Sequence, residues 1–359
     1  MSDIKNYKKI QKTYKGRALQ TVEYKGRIYQ TTIKKDLTDE EFKQAVIDYF
    51  KKPNIEDVEK ELKSIGNGKT KVAAITKYYF RDLMALVKIN RNNWCIQDVF
   101  DYKPLMEFFA GKCDINDKVF PQTNGFAKNL DTAFRLCGAG VASKPAQFPM
   151  KTIDMLLDTY CPKNGNYYDY SCGWGVRMLS ALKHDINYYG TDPNYILVAR
   201  LHELHNKYDE TNSTKSNVDI HCTGAEIYIP EFNNKMDFIF SSPPYFDKED
   251  YKIGKQSYIE GMSYQEWLNT FIQDLVNNSY KYLKADGYFG INIKNYPDKG
   301  QNMLDDICEI ITNSGFELVA IEDVINKVRC LGSSAWEKHT NKKIDTSEKA
   351  CIFRKTNIM

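Results

Sequence analysis

Apolar residues recur at two spacings along this chain, and the texture changes near residue 140. In ALQTVEYKGRIYQTTI, residues 18–33, apolar and polar positions alternate on either side of Lys25-Gly26, which predicts a β-hairpin turning on that dipeptide. The tetrapeptide YKGR occurs at Tyr14–Arg17 and again at Tyr24–Arg27, as part of the hairpin and not as a repeat architecture. The spacing then becomes helical. Thr38 and Glu41 in TDEE form a capping box that opens a helix ending before Pro53. Asn54–Ser64 reads as a second helix, closed by Gly66-Asn67-Gly68, and Val72–Ile89 as a third. Residues 95–137 show no clear period, and no element is assigned to them.

GAGVASKPAQFP, residues 138–149, is rich in Gly, Ala, Ser and Pro and marks a boundary. Beyond it, strand-like runs at 167–172, 186–192, 218–224, 235–242 and 288–294 alternate with helix-like segments Val176–His184, Tyr195–Asn206 and Tyr264–Leu283, the last opened by Ser263 with Glu266. FELVAIEDV and ACIFRK add two strands with an antiparallel edge. This alternation predicts an α/β fold with an open, mostly parallel, doubly wound sheet over residues 141–359. Residues 1–140 form the other expected region, mainly helical and carrying the hairpin.

Charge changes the picture for that first region. The net charge is only +3, but residues 1–35 hold ten Lys and Arg against two acidic residues. A basic arm of this kind suits a polyanion, with Lys15, Arg17, Lys25 and Arg27 as candidate nucleic-acid contacts; a solvated surface hairpin is the plainer alternative. The opening MSDIKNYKKIQKTYKGR lacks the apolar stretch of a signal peptide, and no apolar run reaches membrane-span length, so a cytoplasmic location is expected. The nine cysteines are dispersed and include no CxxC pair, which fits reduced thiols and no metal site. His202 and His205 in RLHELH lack a third ligand and read as solvent-facing.

The chemistry lies at strand ends. The first strand of the second region runs into DYSCGWG, where Gly173 and Gly175 permit a tight turn and close approach of a ligand. The second ends in Asp192, placed to accept two ribose hydroxyls, and the third in TGAE, whose Glu226 can meet an adenine edge. Together these describe a nucleoside site, with turn chemistry alone as the alternative. Met178 stands where a GxGxxG dinucleotide site needs its third glycine. The fourth strand, FIF, stops in SSPPYF: two prolines cannot donate to a sheet ladder, so the strand must end at about Ser242. If the first and fourth strands flank the switch point of the sheet, Ser242–Tyr245 lies beside whatever the glycine turn holds.

From about residue 147 to 355 the chain resembles the S-adenosylmethionine-dependent amino-methyltransferases of DNA, the cytosine-N4 and adenine-N6 type. The resemblance rests on Asp169, Gly173 and Gly175 as the first cofactor motif, Asp192 as the ribose acid and Ser242-Pro243-Pro244-Tyr245 as the catalytic tetrad. QFPMK, 147–151, is similar to the element that meets the methionine end of the cofactor, and LKADGYFGINI to the fifth-strand region. The resemblance implies the methyltransferase form of the seven-stranded sheet, S-adenosylmethionine as cofactor, and cofactor contacts at Phe148, Pro149, Asp169, Ser171, Gly173, Gly175, Asp192, Glu226 and Ser242. It also implies a duplex DNA substrate with one base flipped out, residues 1–140 as the target-recognition region, and a restriction nuclease as a possible partner. Serine at the first tetrad position is the more typical of cytosine-N4 enzymes. The tetrad follows the cofactor motif here, unlike in many of those enzymes, which keeps adenine N6 open. An RNA amine and a non-catalytic nucleic-acid-binding module are the remaining alternatives.

The physics of the tetrad is specific. The lone pair of an exocyclic amine is delocalised into its ring, and two acceptors on its hydrogens, the Ser242 hydroxyl and the Pro243 carbonyl, favour a tetrahedral nitrogen. Proline ensures that the corner presents an acceptor with no competing amide donor, and Tyr245 offers a face for an extruded base. Attack at cytosine C5 needs a cysteine after a proline, and only the reverse, Cys161-Pro162, occurs. The polar loop 245–262 offers Lys252 and Lys255 as candidate phosphate contacts, with an ordinary surface loop as the alternative. NKVRCLGSSAWEK, 326–338, offers Arg329 and Lys338.

Overall fold

Alternation near the N-terminus yields strands, as the pattern predicts. A computed structural model describes residues 12–14, 17–31, 36–91, 93–117, 130–136, 142–293, 302–324 and 348–356. Lys15 and the segment 326–338 lie outside the described residues, as do the side chains of Arg17 and Arg27. Strands β1 (Lys12–Tyr14), β2 (Arg17–Tyr24) and β3 (Arg27–Thr31) form an antiparallel sheet. Lys25 (φ 48°) and Gly26 (φ 74°) both adopt positive φ, the geometry of a tight hairpin turn whose twist matches its strands.

The chain divides into two compact units. One takes in the chain up to Lys51 together with Asp82–Pro145; the other takes in Lys52–Arg81 and Ala146–Arg329 with the C-terminal strand. In the first unit the helix Asp39–Phe50 starts at the expected capping box: Glu41 N donates to Thr38 Oγ1 at 3.1 Å, and Thr38 N donates to Glu41 Oε2 at 2.8 Å. The stretch without a period folds as helices Ile96–Asp101, Lys103–Asp117 and Leu130–Leu136. Their packing is aromatic, with Phe109 stacked on Phe134 (ring centroids 4.3 Å apart) and Tyr49 against Phe100.

The second unit holds the large sheet: β4 (Asn166–Asp169), β5 (Asn187–Thr191), β6 (Val218–His221), β7 (Met236–Ser241), β8 (Leu283–Ile293), β9 (Phe316–Val324) and β10 (Glu348–Lys355). Spatial order is β6-β5-β4-β7-β8-β10-β9, parallel except for β10, which runs antiparallel between β8 and β9. This is the doubly wound, mostly parallel seven-stranded arrangement that the sequence predicted. The antiparallel strand sits one place in from the edge.

Strand residues alternate between two buried faces, as both sides of a parallel sheet require. Tyr167 and Phe238 stack on one face, where Tyr160 of the helix Met150–Tyr160 joins them. Tyr168, Ile239, Phe289 and Ile291 point to the other and pack with Trp267, Leu275 and Ile307 from the helical segments after β7 and β8.

Two helices differ from the sequence pattern. The expected Val72–Ile89 helix is two, Ala73–Tyr79 and Arg81–Leu86, broken at Phe80 (φ −129°, ψ −5°), whose fully buried ring packs against Trp174. The segment Tyr264–Tyr282 is one helical run with a π-turn at Leu268–Ile272. Strand β8 begins at Leu283, earlier than expected, through Asp286 in a left-handed conformation (φ 62°).

Candidate active site

From β4 the chain winds outward through β5 to β6, then returns to lay β7 on the other side of β4. The carboxyl ends of β4 and β7 therefore flank the switch point, where open α/β sheets leave a crevice. Residues 170–175 leave β4 through Gly173 (φ 55°) and Gly175 (φ 74°), and Gly175 heads the helix Val176–Lys183. A Cβ at Gly175 would stand 3.0 Å from Leu204 Cδ2 and 3.1 Å from Leu201 Cδ2, so both conformation and space demand glycine. The segments leading into the turn and into the tetrad are bonded to each other here. Tyr170 Oη donates to Ser241 O at 2.9 Å, and Ser241 Oγ donates to Ser171 O at 3.3 Å.

Asp169 is fully buried beneath this turn. Its Oδ2 accepts from Arg177 Nε and from Tyr188 Oη, each at 2.9 Å, and Oδ1 accepts from Ser171 N at 3.4 Å. Arg177 also donates to Ser171 O. Burial works against the guanidinium charge, but the Asp169 carboxylate outweighs it and holds Arg177 protonated. The carboxylate's bonds are internal to the protein: it organises the turn from below. Neither Arg177 nor Tyr188 was singled out by sequence. A charged residue among the apolar Val176, Met178 and Leu179 of the first turn is the one trace that Arg177 leaves there.

The tetrad stands where β7 ends. Pro243 is buried, while Ser242, Pro244 and Tyr245 are partly exposed, and Tyr245 packs on the rim of the core cluster. Ser242 Oγ accepts a hydrogen bond from Asn292 Nδ2 at 2.8 Å, an interaction the sequence did not suggest. Phe148 approaches from the QFPMK segment, its ring edge-on to Phe240 at 5.4 Å and under the Arg177 guanidinium at 5.8 Å. Pro149 is the N-cap residue of the helix Met150–Tyr160, and Gln147 Nε2 donates to Thr76 Oγ1 at 2.6 Å.

At the end of β5, Asp192 is half-buried, with Oδ1 accepting from Asn194 N at 3.0 Å. Burial raises its carboxyl pKa to about 7; the nearby Asp169 charge adds to the rise, while the amides of Asn194 and Gly173 oppose it. Past β6, Glu226 folds back over Gly224, where a Cβ would lie 2.1 Å from Glu226 Oε2.

The loop after the tetrad runs along these same strand ends. Gly254 (φ 80°) lies so close to Pro193 that a Cβ would fall 2.2 Å from its carbonyl oxygen. Lys255 Nζ reaches Glu226 Oε1 at 2.9 Å. Glu249 Oε2 accepts from Tyr251 Oη at 3.0 Å and from Tyr245 N at 3.4 Å. Burial, with Glu249 and Asp192 nearby, raises the Tyr251 phenol well above its ordinary value.

The structure thus brings Phe148, Ser171, Gly173, Gly175 and Ser242–Tyr245 to one end of the sheet, with Asp192 and Glu226 at the neighbouring strand ends. The lysines expected at phosphates have protein partners: Lys252 pairs with Asp250, Lys255 with Glu226, and Lys25 in the first unit with Asp98. Cys172 is buried, which raises its thiol pKa well above the ordinary value, and its Sγ would stand 2.5 Å from a Cβ at Gly190; it serves packing. His205 bonds Ser216 Oγ at 3.1 Å. Among the described residues no group of three or more His, Cys, Asp or Glu could hold a metal ion, and no helix is long and apolar enough to cross a membrane.

No family model matches the chain, and no curated protein sequence matches it. Among solved structures it is similar to a cyclopropane synthase of Mycobacterium tuberculosis (15% identity, 58% of this chain and 84% of that one, TM-score 0.39). It is similar also to the 1,6-didemethyltoxoflavin N1-methyltransferase of Burkholderia thailandensis, solved with S-adenosylhomocysteine (11% identity, 58% and 78%, TM-score 0.38). A third is the geranyl diphosphate C-methyltransferase of Streptomyces coelicolor (10% identity, 58% and 76%, TM-score 0.40). Likeness this distant concerns the fold alone.

Proposed function

We propose that this protein is an S-adenosylmethionine-dependent methyltransferase that modifies an exocyclic amino group of a DNA base, with cytosine N4 favoured over adenine N6. One observation carries the reading: the residues that lead into the glycine turn and the residue that precedes the proline-rich corner are joined across the switch point by the Tyr170–Ser241 and Ser241–Ser171 hydrogen bonds. The residues at hand suit the cofactor. Asp192 is a half-buried carboxylate with no Lys or Arg salt bridge among the described residues, fit to accept a ribose diol, and Glu226 can take an adenine edge. Gly173 leaves the turn open, since a Cβ there would meet nothing nearer than 3.5 Å. Bound there, S-adenosylmethionine would supply a methyl group on a sulfonium leaving group.

The protein's part is to orient and polarise. Ser242 Oγ and the Pro243 carbonyl accept the two amine hydrogens and favour a pyramidal nitrogen. Tyr245 stacks on the extruded base, and its backbone is steadied by the Glu249 carboxylate. The hairpin of β2 and β3 in the first unit, which carries Arg17, Lys25 and Arg27, is assigned to DNA contact through phosphates.

The test is direct. The protein is incubated with cofactor and either unmethylated genomic DNA or total RNA, the polymer is digested to nucleosides, and N4-methylcytosine and N6-methyladenine are sought by mass spectrometry. Tyr245→Ala should abolish transfer and keep cofactor affinity. Absence of cofactor binding in calorimetry would overturn the reading, and methylated RNA alone would move the substrate class.

A further inference from the structure

Strand β8 ends in Gly290-Ile291-Asn292-Ile293. Ile291 and Ile293 are fully buried in the core cluster on one face of the sheet. Asn292, between them, points to the opposite face and is only 3% exposed. An apolar side chain would suit this position, because burying an amide forfeits its hydrogen bonds to water. The amide makes one good bond in return, from Nδ2 to Ser242 Oγ at 2.8 Å, with a long contact to Glu348 Oε2 at 3.5 Å. Its Oδ1 is buried and finds no hydrogen-bond partner among the described residues. A buried unpaired acceptor destabilises a fold by about 1–3 kcal/mol. The arrangement therefore does poorly as a stability device, and what it does accomplish is directed at one hydroxyl.

We propose that Asn292 is a positioning residue that fixes the Ser242 hydroxyl as an acceptor for the target amine; the inference rests on the amine-methyltransferase reading above. A serine oxygen has two lone pairs and one hydrogen. Asn292 Nδ2 can only donate, so it occupies one lone pair and excludes the hydroxyl hydrogen from that site. The hydrogen is confined to the two remaining positions, and in one of them the second lone pair is open to one hydrogen of an amino group. A serine at the first tetrad position is neutral and free to rotate, unlike a carboxylate, and it needs such an anchor to present an acceptor reliably. Asn292 is well placed to be that anchor: β7 and β8 are parallel neighbours paired Ser241 to Ile291, so Asn292 is carried on a central strand and not on a loop.

The test is a double-mutant cycle on the full chain, using Asn292→Leu, Ser242→Ala and the pair. Single-turnover methyl transfer to unmethylated genomic DNA is read beside S-adenosylhomocysteine affinity by calorimetry and thermal stability. Asn292→Leu should melt no lower than wild type, because the unpaired oxygen is gone, and should bind S-adenosylhomocysteine unchanged. Its transfer rate should fall about ten- to a hundredfold. In the Ser242→Ala background the same substitution should cost nothing further, since it acts only through that hydroxyl. Rate losses that add, a rate within twofold of wild type, or a loss that merely tracks a lower melting temperature would each overturn the assignment and leave the functional reading standing. If the wild type binds S-adenosylhomocysteine yet methylates neither DNA nor RNA, the amine reading falls and this assignment falls with it.

Discussion

If Asp192 holds the cofactor ribose as proposed, cofactor affinity should depend on pH. Its carboxyl has an ordinary value of 3.8 and is raised to about 7 in the ligand-free protein, chiefly by burial. A ribose diol donates two hydrogen bonds, and only the ionised carboxylate is a full acceptor for both. Binding should therefore select the deprotonated form and release a proton. At pH 6 about one carboxylate in eleven is ionised, so the apparent affinity should be about tenfold weaker than at pH 8, with half the change complete near pH 7. The assay is calorimetric titration of S-adenosylhomocysteine from pH 6 to 8.5, in buffers of differing ionisation enthalpy. Near pH 7 it should register release of about half a proton per ligand bound. Asp192→Asn should bind weakly at every pH and lose the slope. An affinity that stays flat across this range, or a slope that survives in Asp192→Asn, would refute the reasoning. The ligand-free fold responds in the opposite direction. Because the folded pKa lies above the unfolded one, the protonated carboxyl stabilises the fold fully below about pH 4, and this contribution is lost as pH rises through about 7.

Further expectations concern the turn, the loop and the buried pair. Gly175→Ala forces a left-handed φ of 74° on a side chain and drives its Cβ to 3.0 Å from Leu204, so it should cost roughly 1–3 kcal/mol in urea denaturation. Arg177→Met leaves the Asp169 carboxylate buried without its cation and should destabilise by about 3–5 kcal/mol, measured the same way; stability near wild type would show that Tyr188 and the Ser171 amide suffice. Lys255→Ala frees Glu226 from an exposed ion pair. Cofactor affinity should rise by up to about fivefold at low salt and be unchanged at high salt, and a fall in affinity would mean that Lys255 itself holds the ligand.

What could be read from the chain without its structure was what neighbouring residues impose on one another. The Lys25-Gly26 turn, the Thr38 cap, the stop after Ser241 and the strand–helix alternation follow from backbone sterics, hydrogen-bond valence and apolar spacing, all of which act within a few residues. The helices of 95–117 escaped that reading because residues 105–111 are buried without a break, which leaves no single apolar stripe against a polar face.

Tertiary structure alone decided who meets whom. It laid β7 beside β4, closed Arg177 and Tyr188 on Asp169, put Asn292 on Ser242 and brought Lys255 to Glu226. It also gathered Lys52–Arg81 into the unit of the large sheet. These partners stand tens of residues apart or more along the chain, or, as with Arg177, depend on how a turn packs. Their pairing is set by the competition of whole elements for burial, which no local spacing records.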